Sequence, residues 1–398
     1  MKLFKSTISK FLVFLMLFSC VDPIEIETIT FENYLVIEAT ITDELKNHTI
    51  KLSRTFDINA KGPNPETGAQ IAIIDSQNNT FYFNETSSGT YISENQFKAI
   101  PALTYTLKVT TKTGNTYSST SEKLTNAVQI EKLTTSIETS REGATGVSIS
   151  VHSFNPNNNA NYYRYQYEET YKISPPFWSD ENLIVVSDSQ PFTVDVVKRS
   201  TDNKDCYKTI NSAQILITET KSLAEDRVHF PVRFILESDF IISNRYSLLV
   251  KQYVQTFEAY NYYETLKKLS SSESVFTQAQ PGFISGNIIS DTDKNEKIIG
   301  FFEVSSVSEK RLFFNYQDIF PKQVSKFPAI CDFLAPLLYD SFSDNSPLIN
   351  LIKKDSYTYY GKNNTGLPNL EGPYLMVPKI CGDCTVSGSN IKPSFWVD

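Results

Sequence analysis

Apolar and polar positions alternate in short runs through the first third of the chain, each run ending in residues that favour turns. Leu35-Val36-Ile37-Glu38-Ala39-Thr40-Ile41-Thr42 has the period of two expected of a strand with one buried face, and Thr49-Ile50-Lys51-Leu52-Ser53-Arg54 reads as its partner across a polar turn. Ala69–Ile74 and Thr80–Phe83 flank Asp75-Ser76-Gln77-Asn78-Asn79, a hairpin connection. Gly89–Ile92 follows, and then Thr104–Val109 and Thr116–Thr120 alternate around Lys112-Thr113-Gly114-Asn115. Strands this short and this evenly spaced predict a sandwich of about seven strands. The Ser/Thr-rich stretch around Ser118–Lys123 closes that unit, and Val128–Leu133 opens a second one.

The second unit keeps the β pattern. Val147–His152 is a strand, Asn155-Pro156-Asn157-Asn158-Asn159 a loop, and Tyr162–Tyr171 a tyrosine ladder in which Tyr163, Tyr165 and Tyr167 share one face. That face reads first as core and second as a ligand-stacking platform. Ile215–Thr218, His229–Leu236, Tyr246–Val254, Ile298–Val304 and Arg311–Phe314 add strands. One helix is predicted over Phe257–Leu269: Thr256 is a suitable cap, Tyr260, Tyr263, Leu266 and Leu269 recur near helical spacing, and Lys267 and Lys268 sit where the dipole favours cations. It is expected to cover one end of the second unit. Beyond residue 320 periodicity is weak and Pro321, Pro328, Pro336 and Pro347 intervene, so long loops tied down by cysteines are expected. The fold class is therefore mainly β: a sandwich over 31–124, then a larger β-rich domain over 125–398 with one short helix and a loop-rich C-terminus.

The first twenty residues carry a different pattern. Lys2, Lys5 and Lys10 precede the apolar run Phe11–Phe18, which has signal-peptide length and is too short to span a bilayer, and Ser19-Cys20 follows. A small residue before a cysteine is what lipoprotein signal peptidase requires. Residues 1–19 are thus read as a lipoprotein signal peptide, Cys20 as the acylated residue that enters the lipid bilayer, and 20–30 as a linker. Several acyl chains exceed the two signals that stable anchoring needs. Acids close behind Cys20, in Val21-Asp22-Pro23-Ile24-Glu25-Ile26-Glu27, are similar to the export signal of surface-displayed lipoproteins, so an outer-membrane, surface-facing placement is expected.

Composition narrows the chemistry. The formal charge of −8 over 398 residues leaves no basic stretch to track phosphates, which argues against nucleic acid as a partner. Only His48, His152 and His229 are present and none has HExxH spacing; GxSxG, Walker and GxGxxG patterns are also missing. A non-enzymatic protein without cofactor or metal is therefore expected, with a hydrolase using an acid pair of no local motif as a weak alternative. Asp291-Thr292-Asp293-Lys294-Asn295-Glu296 begins like a calcium loop but has Glu296 where glycine is needed, and it reads as a solvated turn.

Besides Cys20 the cysteines are Cys206, Cys331, Cys381 and Cys384. An even number in an exported chain favours disulfides, with three possible connectivities. The Cys381-Gly382-Asp383-Cys384 spacing keeps redox and metal alternatives open. Aromatic residues near Pro175-Pro176, namely Tyr162, Tyr165, Phe177 and Trp178, are candidates for a contact surface, because aromatics are enriched at interfaces.

Three segments together resemble the lipoproteins of the domain of unknown function 4249 (DUF4249) family: the lipidated cysteine with Leu35-Val36-Ile37-Glu38 and Ile50-Lys51-Leu52-Ser53-Arg54; Arg245–Tyr253, Ala259-Tyr260, Gln280-Pro281 and Gly286-Asn287-Ile288; and Cys381-Gly382-Asp383-Cys384 with Lys392-Pro393-Ser394-Phe395-Trp396. The resemblance implies an N-terminal immunoglobulin-like or transthyretin-like sandwich, a second β-rich domain and outer-membrane placement in Bacteroidota. It also implies a TonB-dependent transporter, or another outer-membrane β-barrel, as partner. It brings no catalytic residues. The function expected is an accessory subunit of such a barrel; the alternative is a stand-alone carbohydrate- or glycoprotein-binding lipoprotein.

Overall fold

The computed structural model describes residues 33–56, 62–271, 284–322, 327–367 and 370–398. The signal peptide, Cys20, the 20–30 linker and Gln280-Pro281 lie outside the described residues.

The first β unit is built on β1 (Leu35–Thr42), β2 (Thr49–Arg54), β3 (Asn64–Pro65), β4 (Gln70–Asp75), β5 (Thr80–Ser87), β6 (Thr90–Ser93), β7 (Thr104–Thr110), β8 (Thr116–Ser119) and β9 (Glu122–Lys123). The alternation read from the sequence is what folds it: Leu35, Ile37, Ala39 and Ile41 point into a core with Ile50, Leu52, Ile73, Tyr91, Leu107 and Tyr117, while Glu38 and Lys51 face out. Two strands from much later in the chain complete this sheet. After the second unit, β19 (Ile288–Ser290) pairs with β8 and β20 (Ile298–Ser305) runs parallel to β1 from Leu35↔Ile298 to Thr42↔Ser305. The result is an eleven-stranded, nearly closed sheet, larger than the seven strands expected. Asn287 fastens the two ends together. Its side-chain amide accepts from the Phe302 N–H at 2.8 Å and donates to the Phe302 carbonyl at 2.9 Å, standing in for a peptide group of a neighbouring strand.

The second unit contains β10 (Ile130–Thr139), β11 (Thr145–Asn155), β12 (Tyr162–Ile173), β13 (Glu181–Ser187), β14 (Thr193–Lys198), β15 (Cys206–Asn211), β16 (Leu216–Glu219), β17 (Asp226–Leu236), β18 (Arg245–Val254) and β21 (Val307–Asn315). A β10-β11-β17 sheet packs on the sheet ordered β15-β12-β18-β21, in which β16 also pairs with β12. Tyr163, Tyr165 and Tyr167 share the core between them with Val147, Ile149, Val151, Leu248 and Val250, as the core reading of the ladder expects. Because Ser306 alone separates β20 from β21, one extended run crosses from the first sheet to the second. The boundary drawn at 124/125 therefore does not enclose the first unit, since residues 288–305 belong to its sheet.

The helix spans Phe257–Ser271, with Thr256 Oγ1 accepting from the Ala259 N–H at 3.2 Å. It covers the end of the second unit where β12 begins, Tyr260 lying against Tyr162, and it reaches the first unit as well, Tyr262 lying against Phe301 of β20. Past residue 320 the chain holds more structure than its prolines suggest. A helix, Pro347–Lys353, has Ser346 as cap and Pro347 in its first turn, and β22 (Tyr357–Lys362) pairs with β23 (Tyr374–Pro378). These elements, with the β13-β14 hairpin, form a lobe whose small core comprises Leu183, Leu348, Tyr359 and Met376.

Candidate functional site

The seam between the two β units is charged at its centre. Period two puts Arg164 on the face of β12 opposite the tyrosine core, and puts Glu303 on the outer face of β20; the two meet at 2.7 Å with side chains 7% and 3% exposed. Glu303 also accepts from Gln255 Nε2 at 3.1 Å and Ser305 Oγ at 2.6 Å. The guanidinium lies 4.4 Å from the ring centroid of Tyr253 and 4.8 Å from that of Tyr263, so two aromatic faces cover its plane. Burial by itself would lower the Arg164 pKa, but the Glu303 carboxylate outweighs it and raises the value, so the side chain stays charged. Its Nε is buried with no hydrogen-bond partner among the described residues.

Above this pair opens a cleft of about 680 Å³, a volume in the range of small-molecule sites. Its floor is the outer face of β1, β2 and β20, with Glu38, Thr40, Lys51 and Phe301; its walls are Arg164, Gln166 and Tyr253 of the second unit and Tyr262, Tyr263 and Leu266 of the helix. Burial pushes the Tyr263 hydroxyl up to about 12, keeping it protonated. At the far end His48 donates from Nε2 to the Phe97 carbonyl at 2.9 Å, which leaves Nδ1 as an acceptor without a partner among the described residues. Desolvation lowers the His48 pKa to about 4, so the ring is neutral near pH 7. Lys46 and Lys251 direct their charge at Glu44. No local motif marks this site, since its members come from six elements; the outward period-two positions of β1 and β2 are the readable signal.

The aromatic positions singled out from the sequence do not form one surface. Tyr165 is 1% exposed, its ring stacked on Phe230 and its hydroxyl bonded to Gln252, so it belongs to the core and not to a contact surface. Tyr162 is covered by Phe257 and Tyr260. Phe177 and Trp178 lie elsewhere, half-buried in the C-terminal lobe. Phe177 packs on Phe333 and Tyr360, and the Trp178 ring lies under Lys204 Nζ at 5.6 Å.

The cysteines pair as Cys206–Cys384 and Cys331–Cys381, with Cα–Cα distances of 5.4 and 5.8 Å. Neighbours in the Cys381-x-x-Cys384 motif thus bond outward to different partners, one to β15 and one to the loop before the lobe. Among the described residues no group of three or more His, Cys, Asp and Glu side chains is placed to hold a metal ion. Asp291 and Glu296 are instead bonded by Ser118 and Tyr117 in the turn before β20.

The same lobe carries a feature that sequence reading missed. Phe342 is fully exposed at the tip of a turn, and Leu334, Leu337, Tyr339 and Leu367 of this lobe are also more than one-third exposed. The turn is braced. Asp340 N–H donates to the Asn345 carbonyl at 2.9 Å, the Asp340 carboxylate accepts from the Phe342 N–H at 3.0 Å and from Ser343 Oγ, and Asp344 accepts from Tyr339 Oη at 3.1 Å and from Gln190 of the β13-β14 hairpin.

No curated protein matches the chain. The family described as Domain of unknown function (DUF4249) matches residues 21–311, a span that takes in the whole first sheet, the seam, the junction helix and the β13-β14 hairpin, and stops within β21 before the part of the C-terminal lobe that follows residue 320. The chain belongs to the DUF4249 family.

Proposed function

We propose that this protein is a non-enzymatic lipoprotein of the outer membrane, anchored through Cys20 and docked by its C-terminal lobe onto an outer-membrane β-barrel, with a TonB-dependent transporter as the favoured partner. The observation that carries this reading is Phe342. An aromatic side chain held in full solvent exposure on a turn fixed by Asp340 and Asp344 has already lost the backbone freedom that binding would otherwise cost, which is the property of an interface anchor. Exposed Leu334, Leu337, Tyr339 and Leu367 supply further apolar area on the same lobe. Both disulfides end in this lobe or beside it, and they support a docking element that keeps its shape outside the cell. Glu303 and Arg164, the carboxylate and guanidinium at the centre of the seam, are engaged with each other, which supports a binding role over hydrolysis.

Gentle detergent extraction of a tagged full-length chain tests the reading. Co-purification of a β-barrel in near-equal amount is the expected result. Recovery of the lipoprotein alone under conditions that keep other envelope complexes intact would contradict it. A saccharide-binding role has less support, because the ring of Trp178 is half-buried under Lys204 and Tyr165 is in the core.

A further inference from the structure

The cleft over β1 has an apolar side and a charged side, and the charged side holds unspent charge of both signs. Glu38 and Lys51 stand directly opposite each other on β1 and β2, both are exposed, and both line the cleft. Neither takes part in an ion pair among the described residues. The apolar side is Phe301 with Tyr262 of the helix packed on it.

We infer that this cleft binds a short peptide with free termini and an apolar side chain. Glu38 receives the ammonium, Lys51 the carboxylate, and Phe301 with Tyr262 the side chain. Opposed residues on antiparallel strands hold their Cβ atoms about 5 Å apart, while consecutive Cα atoms of a peptide are about 3.8 Å apart, so the charge pair matches a ligand of about two residues. A neutral saccharide would cover Glu38 and Lys51 without supplying charge to either. A simple anion would meet Lys51 but face Glu38, and a simple cation the reverse.

Calorimetric titration of the full chain in detergent with the dipeptide Leu-Phe tests this. Saturable one-to-one binding is expected, weakened about tenfold or more, some 1.4 kcal/mol, by N-acetylation or by C-amidation. Glu38→Gln should abolish the discrimination against the acetylated form, and Lys51→Met that against the amidated form, each with an unchanged circular dichroism spectrum; a merely structural role for these residues would not produce that split. Absence of saturation with Leu-Phe, equal affinity for the blocked dipeptides, or preference for maltotriose would overturn the inference. Barrel co-purification with the unsubstituted chain reads the docking proposal separately, so the two can fail independently.

Discussion

Arg164 and Glu303 meet at 2.7 Å in the interior of the seam, 139 residues apart in sequence, and they join the two β units at the point where one extended run passes from the first sheet to the second. The pair explains how an acidic, mainly β chain tolerates charge at its centre: three donors satisfy Glu303 and two tyrosine faces cover Arg164. The cleft inherits its rigid wall from this arrangement.

Removing one partner strands the other in a buried site. Arg164→Met or Glu303→Gln should each cost about 3–5 kcal/mol in urea unfolding. Lys353→Met, which breaks the exposed Lys353–Asp188 pair, should cost less than about 1 kcal/mol. Similar losses at the two sites would mean that the seam pair has no special weight.

His48 gives the protein an acid sensitivity with a defined window. Its folded pKa of about 4 lies below the ordinary 6.5 because burial disfavours the charged ring, so the unfolded chain binds the proton more readily. The stabilisation is complete above about pH 6.5 and is lost progressively as pH falls toward 4, by on the order of 2–3 kcal/mol. Urea midpoints measured across this window should fall for the wild type and change less for His48→Phe. An equal slope in both would refute the assignment.

The Cys206–Cys384 bond pins the C-terminal segment to β15 across 178 residues of sequence. Cys206→Ser with Cys384→Ser should lower stability by about 2–4 kcal/mol and expose the chain after residue 384 to protease. The Cys331–Cys381 bond closes a loop of 50 and should matter less to global unfolding while still holding the lobe together. Thermal melts with and without each pair distinguish the two contributions.

Glycine at 286 is required by close approach. A Cβ there would lie 1.6 Å from the Gly300 carbonyl oxygen, a backbone atom that cannot swing aside, beside the Asn287 clasp that closes the sheet. Gly286→Ala should destabilise by at least about 2 kcal/mol, whereas Gly361→Ala, with open space around it, should be nearly silent.

Much of this architecture is written in local patterns, and the remainder is not for physical reasons. Period-two alternation locates β1, β2 and β12 because a half-buried strand must alternate, and Thr256 marks the helix start because its hydroxyl satisfies an otherwise unpaired N–H. The placement of β20 beside β1 has no local signature: parallel pairing across more than 250 residues is decided by the tertiary core. Tyr165 follows the core reading of its ladder and not its candidacy for a contact surface, because alternation locates a face without saying what covers it. The lobe was misread as loops because its strands are short and its prolines sit at element ends, Pro347 opening a helix and Pro378 closing a strand. Disulfide pairing is likewise silent in sequence, and Phe342 is one aromatic residue in a polar turn, distinguished only once its exposure is known.

The docking proposal is tested most directly by a photo-crosslinking amino acid placed at position 342 of the full chain in intact cells, with the captured protein identified by mass spectrometry. Crosslinking to an outer-membrane β-barrel from position 342, and none from the exposed control position Leu45 of the first unit, is the predicted result. Equal labelling from both positions, or no barrel captured from 342, would contradict it.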